Sequence, residues 1–363
     1  MRKFVSSVAL AVALASTPVM AQDGTPTVSE AEAFIAKAEK DLYDFTVEAG
    51  RVQWINSTYI TDDTDALAAK YGEIGTEKAV AYALEAAKFQ NVAGLSAETK
   101  RKLDILRGGL VLPAPTKEGA AAELSTIATK LQSAYGKGKG TLNGNAINGS
   151  DIEAAMGTSR NPEELKEMWT SWYDNVGKPM GKDYARLVEI SNEGAKELGF
   201  KDVGAMWRSG YDMPADDFAK LTDKLWLEVK PLYDELHTYT RNKLNEKYGD
   251  AVQPKTGPIR ADLLGNMWAQ EWGGIYDIVA PAGAGDIGYD IGELLKAKGV
   301  DEMGMVKIGE GFFSSLGFEP LPESFYERSQ FLKPRDREVV CHASAWNIDN
   351  VDDLRIKMCI KVN

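Results

Sequence analysis

Histidine and cysteine, from which many catalytic and metal sites are built, are scarce in this sequence. Its 363 residues include two histidines, His237 and His342, and two cysteines, Cys341 and Cys359. A site that needs several imidazoles cannot be assembled from these residues, and the cysteines with one neighbouring histidine are an incomplete metal-ligand set. In an oxidising compartment the isolated cysteine pair, 18 residues apart, favours a disulfide, with two small buried thiols as the alternative.

Positive charge and long apolar runs are also in short supply. Lys and Arg number 42 against 54 Asp and Glu, giving a net charge of −12. Binding to a phosphate backbone requires clustered cations, so this balance argues against a nucleic-acid partner. A membrane-spanning helix needs about 20 apolar residues, and no segment of the sequence approaches that length. We therefore expect no integral membrane segment in the mature chain.

The N-terminus has the three parts of a secretory signal peptide. Arg2 and Lys3 precede an apolar run of about a dozen residues, and the small-residue pattern Val19-Met20-Ala21 follows Pro18. We predict a signal peptide over residues 1–21 and a secreted or periplasmic mature chain from residue 22. The alternative is a buried N-terminal helix.

Helical periodicity dominates the rest of the chain. Ser29 and Glu32 fit a capping box, and apolar residues then recur at steps of three and four up to Phe45. Good helix formers fill residues 66–89, and Ser96 begins a helix that ends at Gly108-Gly109. Three helices are thus predicted in the first third.

Later helices are predicted from Asn161-Pro162, over about 183–198, and over about 216–248, the last with a kink at Pro231. The glycine- and lysine-rich residues 136–140 predict a flexible connector, because they lack the spacing of a phosphate loop. Strand signals are confined to residues 338–341 and 355–359, which predict a short antiparallel pair. The predicted fold class is therefore mainly α with a small β element.

Several segments resemble the angiotensin-converting enzyme family of zinc peptidyl-dipeptidases. They are GPIRADLLGNMWAQEW (257–272), REVVCHASAWNIDN (337–350), DLRIKMC (353–359), MWRSGY (206–211), KPLYDELHTY (230–239) and GTSR (157–160). The resemblance covers roughly residues 28–363 and is strongest in the last hundred.

This resemblance implies a secreted or periplasmic, long-helix, two-lobed zincin-like peptidase with a deep cleft, which releases dipeptides from the C-termini of oligopeptides. Residues 22–363 would be the N-terminal portion of one catalytic domain, incomplete at its C-terminus. Within it, residues 22–116 would form lid-like helices, and residues 117–363 would form the cleft helices and a short hairpin.

The family's zinc motif, H-E-x-x-H, does not occur in this sequence. In the family it follows shortly after the segment that resembles residues 355–363, so zinc ligands are expected only beyond Asn363. We therefore expect no catalytic residue in this chain and no activity from it alone. The alternative is a secreted, non-catalytic helical protein that binds peptides or acts as a scaffold.

The resemblance assigns three substrate contacts. His342 would donate a hydrogen bond to a substrate carbonyl, and Ala343 would offer its backbone groups from an extended edge segment. Gln270, predicted on a helix between Trp268 and Trp272, would bind the C-terminal carboxylate of the peptide, because a neutral amide can donate to an anion.

Chloride is a second ligand that the resemblance implies. Tyr211 matches the tyrosine of the family's second chloride site, whose arginine would come from the missing part. At the first chloride site the family commonly has an arginine directly after its W-x-x-W pair. Here Tyr173 stands at that position, and a phenol does not hold an anion as a guanidinium does.

Overall fold

The computed structural model describes residues 26–284 and 291–360. The predicted signal peptide lies outside these residues. Within them, no helix combines the length and apolar character needed to cross a membrane.

The described residues are mainly helical, as predicted. The helices are α1 (Val28–Thr58), α2 (Asp62–Ala87), α3 (Ala97–Gly108), α4 (Ala120–Lys137), α5 (Gly149–Thr158), α6 (Pro162–Trp172), α7 (Lys178–Glu197), α8 (Val203–Arg208), α9 (Ala215–Tyr248), α10 (Tyr276–Val279), α11 (Ile291–Ala297), α12 (Glu302–Ser315) and α13 (Glu323–Arg328). The strands are β1 (Lys139–Leu142), β2 (Asn145–Asn148), β3 (Ser344–Asn347) and β4 (Leu354–Lys357), and they form two antiparallel pairs, β1–β2 and β3–β4.

The first three predicted helices are present, but the capping box of α1 lies two residues earlier than predicted. Thr27 accepts a hydrogen bond from the Glu30 N–H at 3.2 Å, and Glu30 accepts one from the Thr27 N–H at 2.8 Å. Thr27-x-x-Glu30 has the same pattern as Ser29-x-x-Glu32, so the pattern alone could not choose between them.

The predicted flexible connector at residues 136–140 is wrong. Lys137 ends α4, and the chain enters β1 at Lys139. Gly140 is required by packing, because a Cβ there would lie 2.7 Å from Ile152 Cδ1 and 2.8 Å from Ser171 Oγ. The glycine therefore lets the strand lie directly on α6.

The β1–β2 turn is the reason that a hairpin forms where no strand was predicted. Asn143 and Gly144 have φ angles of 51° and 75°, the left-handed pair that a two-residue hairpin turn requires. Both of their backbone N–H groups donate to the Glu167 carboxylate at 2.9 Å. The turn is therefore fixed to α6.

The C-terminal strand pair is displaced from its prediction. β3 pairs with β4 in the register Ser344↔Lys357 to Asn347↔Leu354, so residues 338–341 are not a strand. Their backbone is used elsewhere: Ile60 N donates to Glu338 O and Val340 N donates to Ser57 O, both at 2.9 Å. The segment therefore binds the end of α1 and is unavailable to β4.

The cysteine pair is oxidised, as predicted. Cys341 and Cys359 form a disulfide with an S–S distance of 2.09 Å and a Cα–Cα distance of 5.1 Å. The bridge joins the segment before β3 to the segment after β4.

Side chains also fasten the β3–β4 hairpin to α1. The Trp346 ring meets the Trp54 ring edge-on at 5.7 Å, and the Arg355 guanidinium lies 5.2 Å from the centre of the Trp54 ring. Asp353 is buried and accepts two hydrogen bonds from Arg355 at 2.7 Å and one from Arg328 at 2.9 Å. The hairpin and the N-terminal helices therefore form one packed unit.

We predict that Asp353→Asn lowers the free energy of unfolding by about 3 kcal/mol at neutral pH, because it leaves a partly buried guanidinium without its carboxylate. Hydrogen bonds from Arg355, with the nearby charges of Arg355 and Arg328, hold the pKa of Asp353 below its ordinary value. Its stabilisation is therefore complete above about pH 4 and is lost as the pH falls through the folded-state pKa.

Urea unfolding from pH 3 to pH 7 checks this, with Asp352→Asn on the exposed turn as control. The free energies of unfolding of wild type and Asp353→Asn, plotted against pH, should approach each other towards pH 3. A difference that stays constant over this range would contradict the ion-pair explanation.

Helix α9 carries an apolar stripe on its surface. Leu225, Val229, Leu232 and Leu236 follow each other at steps of three or four residues, so they share one face. They are between 49% and 71% exposed. An apolar surface of this kind is typical of a contact with another protein surface.

We predict that the 363-residue chain self-associates through this apolar stripe and that Leu225→Lys with Leu232→Lys makes it monomeric, because each lysine places a charge in the contact. Sedimentation velocity at micromolar concentration measures this. Leu67→Lys, at a separate site that is 52% exposed, is the matched control and should leave self-association unchanged. A monodisperse monomer of the wild-type chain would contradict the prediction.

Candidate substrate-binding cleft

One cavity brings together three of the predicted site residues. Gln270, His342 and Ala343 all line a cleft of about 560 Å³, together with both cysteines of the disulfide. Gln270 and the adjacent pair His342–Ala343 come from two separate stretches of the sequence. The fold therefore places the predicted carboxylate contact and the predicted main-chain contacts in one space.

Gln270 is carried by a loop, so the helix predicted for it is wrong. Asn266 Oδ1 accepts a hydrogen bond from Trp268 N at 2.8 Å, and Ala269 has a left-handed φ of 52°. This side-chain-to-backbone bond competes with helix formation. Gln270 is exposed, and no hydrogen bond to its amide is found among the described residues, so the amide remains available to a ligand.

His342 and Ala343 also lie outside regular structure. They are exposed and lie between residues 338–341, where a strand was predicted, and β3. The Lys357 side chain holds this segment from the protein side, because its Nζ donates to the carbonyl oxygens of Val340 and His342. The backbone here is thus fixed by bonds that do not belong to a strand ladder.

Aromatic rings form another part of the cleft lining. Tyr135 meets Trp172 edge-on at 5.9 Å and stacks on Trp268 at 6.3 Å. Burial, with a smaller contribution from the nearby charge of Glu153, raises the pKa of Tyr135, so its phenol stays neutral. Glu153 lines the same cavity and is exposed. The lining therefore combines apolar rings with a carboxylate.

The aromatic part of the lining is continuous with a buried core. The Trp172 ring lies against Gly149, where a Cβ would come within 2.8 Å of it. Trp172 and Met267 belong both to the lining and to a large apolar cluster. Its buried members are Ile152, Met156, Leu165, Met168, Trp172, Val176, Leu244, Leu263, Leu264, Met267 and Ile275.

Tyr211 is not brought to this cleft. It follows α8, is 54% exposed and stacks on the Phe218 ring at 3.9 Å. Tyr173 packs against the Trp169 ring at 4.3 Å and donates a hydrogen bond to Met267 O at 3.3 Å. Its phenol is therefore used to hold the loop that carries Gln270.

Comparison with known proteins identifies the family. The sequence model described as angiotensin-converting enzyme, Peptidase_M2, matches residues 25–363. The chain belongs to the angiotensin-converting enzyme family. It is 34% identical over 340 residues to angiotensin-converting enzyme of Haematobia irritans exigua, covering 91% of this chain and 54% of that protein.

Mammalian members of the angiotensin-converting enzyme family show the same relationship. The identity is 36% over 341 residues with the enzyme of Bos taurus, covering 92% of this chain and 25% of that protein. With the enzyme of Rattus norvegicus it is 44% over 214 residues, covering 59% of this chain and 16% of that protein. The chain thus spans about half the length of the fly enzyme and a quarter of the bovine one.

The described residues do not fit the zinc ion expected for the angiotensin-converting enzyme family. Among them, no group of three or more His, Cys, Asp or Glu side chains is placed to hold a metal. Both cysteines are in the disulfide, and His237 lies near the rings of Tyr233 and Trp272. The described part of the chain therefore does not supply a zinc site by itself.

One of the segments that carried the resemblance is a structural support of the cleft. Arg160, the last residue of the GTSR string, binds both carboxylate oxygens of Asp277 at 2.7 and 3.2 Å and Gly274 O at 2.7 Å. It therefore joins α5 to the chain that follows Gln270.

Sequence reasoning missed Lys357, Glu153 and Tyr135. The alternation of Leu354, Ile356 and Met358 with Lys357 predicts that the lysine lies on the solvent side of the strand, so its burial has no sequence signal. Glu153 and Tyr135 carry no signal either, because each resembles an ordinary helix residue until α4 and α5 are packed together.

Proposed function

We propose that this chain supplies the peptide-binding wall of a zinc-dependent peptidyl-dipeptidase, which releases dipeptides from the C-termini of oligopeptides. The observation that supports this is the convergence of Gln270, His342 and Ala343 on one cavity of about 560 Å³. A space of this size suits a short length of peptide. The proposed zinc ligands and catalytic groups lie outside the 363 residues.

Gln270 is the proposed contact for the C-terminal carboxylate of the peptide. Its amide donates hydrogen bonds without bringing a charge that needs its own counter-ion. Trp268 and Tyr135 line the same cavity, so apolar rings accompany the proposed contact. Recognition of the free C-terminus is what a carboxypeptidase-type substrate requires.

His342 and Ala343 are the proposed main-chain contacts. The His342 ring would donate to a substrate carbonyl, and the Ala343 backbone would pair with an extended peptide as an added strand does. Because both residues lie outside the β3–β4 ladder, their backbone groups are not used by that pairing. The two contacts would set the direction of the peptide along the cleft.

We also propose that the protein is secreted or periplasmic, and that Tyr211 contributes to a chloride site completed by residues outside this chain. The disulfide supports export, because disulfides persist in oxidising compartments. The exposure of Tyr211 leaves its hydroxyl accessible to an anion.

A second candidate is a secreted, non-catalytic protein that binds peptides or acts as a scaffold. It is favoured by one observation: the cleft is formed although the described residues offer no metal-ligand group. The two candidates share the peptide contacts and differ only in hydrolysis. Reading the coding sequence past the codon of Asn363 separates them, since an H-E-x-x-H motif within about 20 residues supports the peptidase.

We predict that the chain binds a peptide with a free C-terminus about tenfold more tightly than the same peptide with a C-terminal amide. A hydrogen bond to a charged group is worth about 1.5–3 kcal/mol, so this is a conservative difference. Gln270→Leu should remove the preference by weakening only the binding of the free acid. Quenching of tryptophan fluorescence measures both affinities, because Trp172 and Trp268 line the cleft.

The control for this experiment is Gln90→Leu, an exposed glutamine beyond the end of α2. It should retain the full preference for the free acid. Equal binding of acid and amide by the wild-type chain would contradict the role of Gln270.

We predict that the purified 363-residue chain contains less than stoichiometric zinc and releases no dipeptide that a chelator can suppress, because H-E-x-x-H is missing from it. Metal analysis by mass spectrometry and a peptide-cleavage assay check the two parts. Chelator-sensitive release of a C-terminal dipeptide by this chain would show that its own residues build the metal site.

A further inference from the structure

Lys357 is a buried cation that has no anionic partner in the part of the chain that the structure describes. It is 2% exposed, and no carboxylate of the described residues forms an ion pair with its Nζ. The burial lowers the pKa of Lys357 to about 8. Burying a charge without a counter-charge has a large desolvation free energy. A methionine of similar length would fill this space without that penalty. The position therefore requires something that only the ammonium supplies.

The ammonium supplies hydrogen bonds to two backbone carbonyls of the cleft wall. Lys357 Nζ donates to Val340 O at 2.5 Å and to His342 O at 2.6 Å. These oxygens lie on either side of Cys341, whose disulfide partner Cys359 is two residues after Lys357. Lys357 also pairs with Ser344 in the β3–β4 ladder. The segment from Val340 to Ser344 is therefore held by side chain, disulfide and ladder together.

Peptide-bond planarity gives the bond to His342 O a specific consequence. The His342 carbonyl and the Ala343 N–H belong to one planar peptide group, in which the two bonds point in opposite directions. Fixing the carbonyl oxygen therefore also fixes the direction of the Ala343 N–H. His342 and Ala343 are both exposed to the cleft and outside the ladder. The bond from Lys357 therefore orients their peptide group, as a hydrogen bond from a neighbouring strand would in a sheet.

We propose that Lys357 is a positioning residue for peptide binding: its buried ammonium holds the His342–Ala343 peptide group in the orientation that meets the substrate backbone. This inference rests on the proposed function, since it assigns Lys357 a role at the same cleft. It makes no claim that Lys357 touches the peptide. The competing explanation is that Lys357 only packs the interior.

Because the chain has only two histidines, the effect of Lys357 on His342 can be tested by NMR without a ligand. With only His237 and His342 in the chain, the proton NMR spectrum has two sets of imidazole signals, which His237→Asn assigns. In Lys357→Met the His342 signals should shift and broaden, because the His342 carbonyl loses its hydrogen bond from Lys357 while the disulfide and the ladder remain. The His237 signals, from α9, should stay unchanged and serve as the internal reference.

The second measurement is peptide affinity by tryptophan fluorescence, with Lys357→Met, Lys357→Gln and the exposed control Lys307→Met. We expect Lys357→Met to lose about tenfold in affinity while its midpoint of thermal unfolding stays equal to or above that of the wild type. Lys357→Gln, which keeps one donor, should fall between. Lys307→Met should match the wild type, and the preference for the free C-terminus should survive in every variant.

The outcomes separate the two proposals. Unchanged His342 signals and unchanged affinity in Lys357→Met would overturn the positioning role. A loss of affinity matched by a large loss of thermal stability in both Lys357 variants would likewise support packing and overturn it. If the wild-type chain binds no peptide, the proposed function fails, and unshifted His342 signals would still overturn the positioning of this segment by Lys357.

Discussion

The attachment of the β3–β4 hairpin to α1 is the constraint on which the cleft depends. The wall residues His342 and Ala343 lie outside any strand, so the elements on either side must fix them. Asp353 holds Arg355 against Trp54, and the end of α1 exchanges main-chain hydrogen bonds with residues 338–340. The N-terminal helices therefore reach the cleft through the hairpin that they support.

The opposite part of the cleft is built on different principles. There, Trp172 and Met267 continue the apolar core to the cavity surface, and Arg160 fastens the chain after Gln270 to α5. One side of the cleft is thus held by close packing and the other by hydrogen bonds to backbone groups.

Sequence reasoning succeeded where a local signal decides the structure. Asn161-Pro162 and Ser96 begin helices as predicted, and Gly249, with a φ of 77°, ends the long helix α9. The Asn143-Gly144 pair is a hairpin signal, but the prediction rested only on the glycine- and lysine-rich residues before it. Glycine indicated flexibility there, whereas Gly140 is fixed by the close approach of α6.

At the candidate site, too, local sequence signals did not predict structure that depends on tertiary contacts. Family resemblance singled out Gln270, His342 and Ala343, and the fold places all three at one cavity, yet the secondary structure expected around them was wrong. The helix predicted at Gln270 is absent because the Asn266 side chain accepts a hydrogen bond from the Trp268 N–H. Hydrophobic periodicity does not reveal such a bond. Lys357 was missed because its role depends on two carbonyls that only the folded hairpin brings together.

The Cys341–Cys359 bridge makes this part of the structure dependent on the redox state of its surroundings. Both cysteines line the cleft beside His342 and Ala343. Formation or reduction of the disulfide therefore changes the cleft wall directly. Reduction of the bridge would leave the segment before β3 and the segment after β4 joined only by non-covalent contacts. Under the proposed export and peptide binding, this one covalent bond would couple an oxidising compartment to the binding groove.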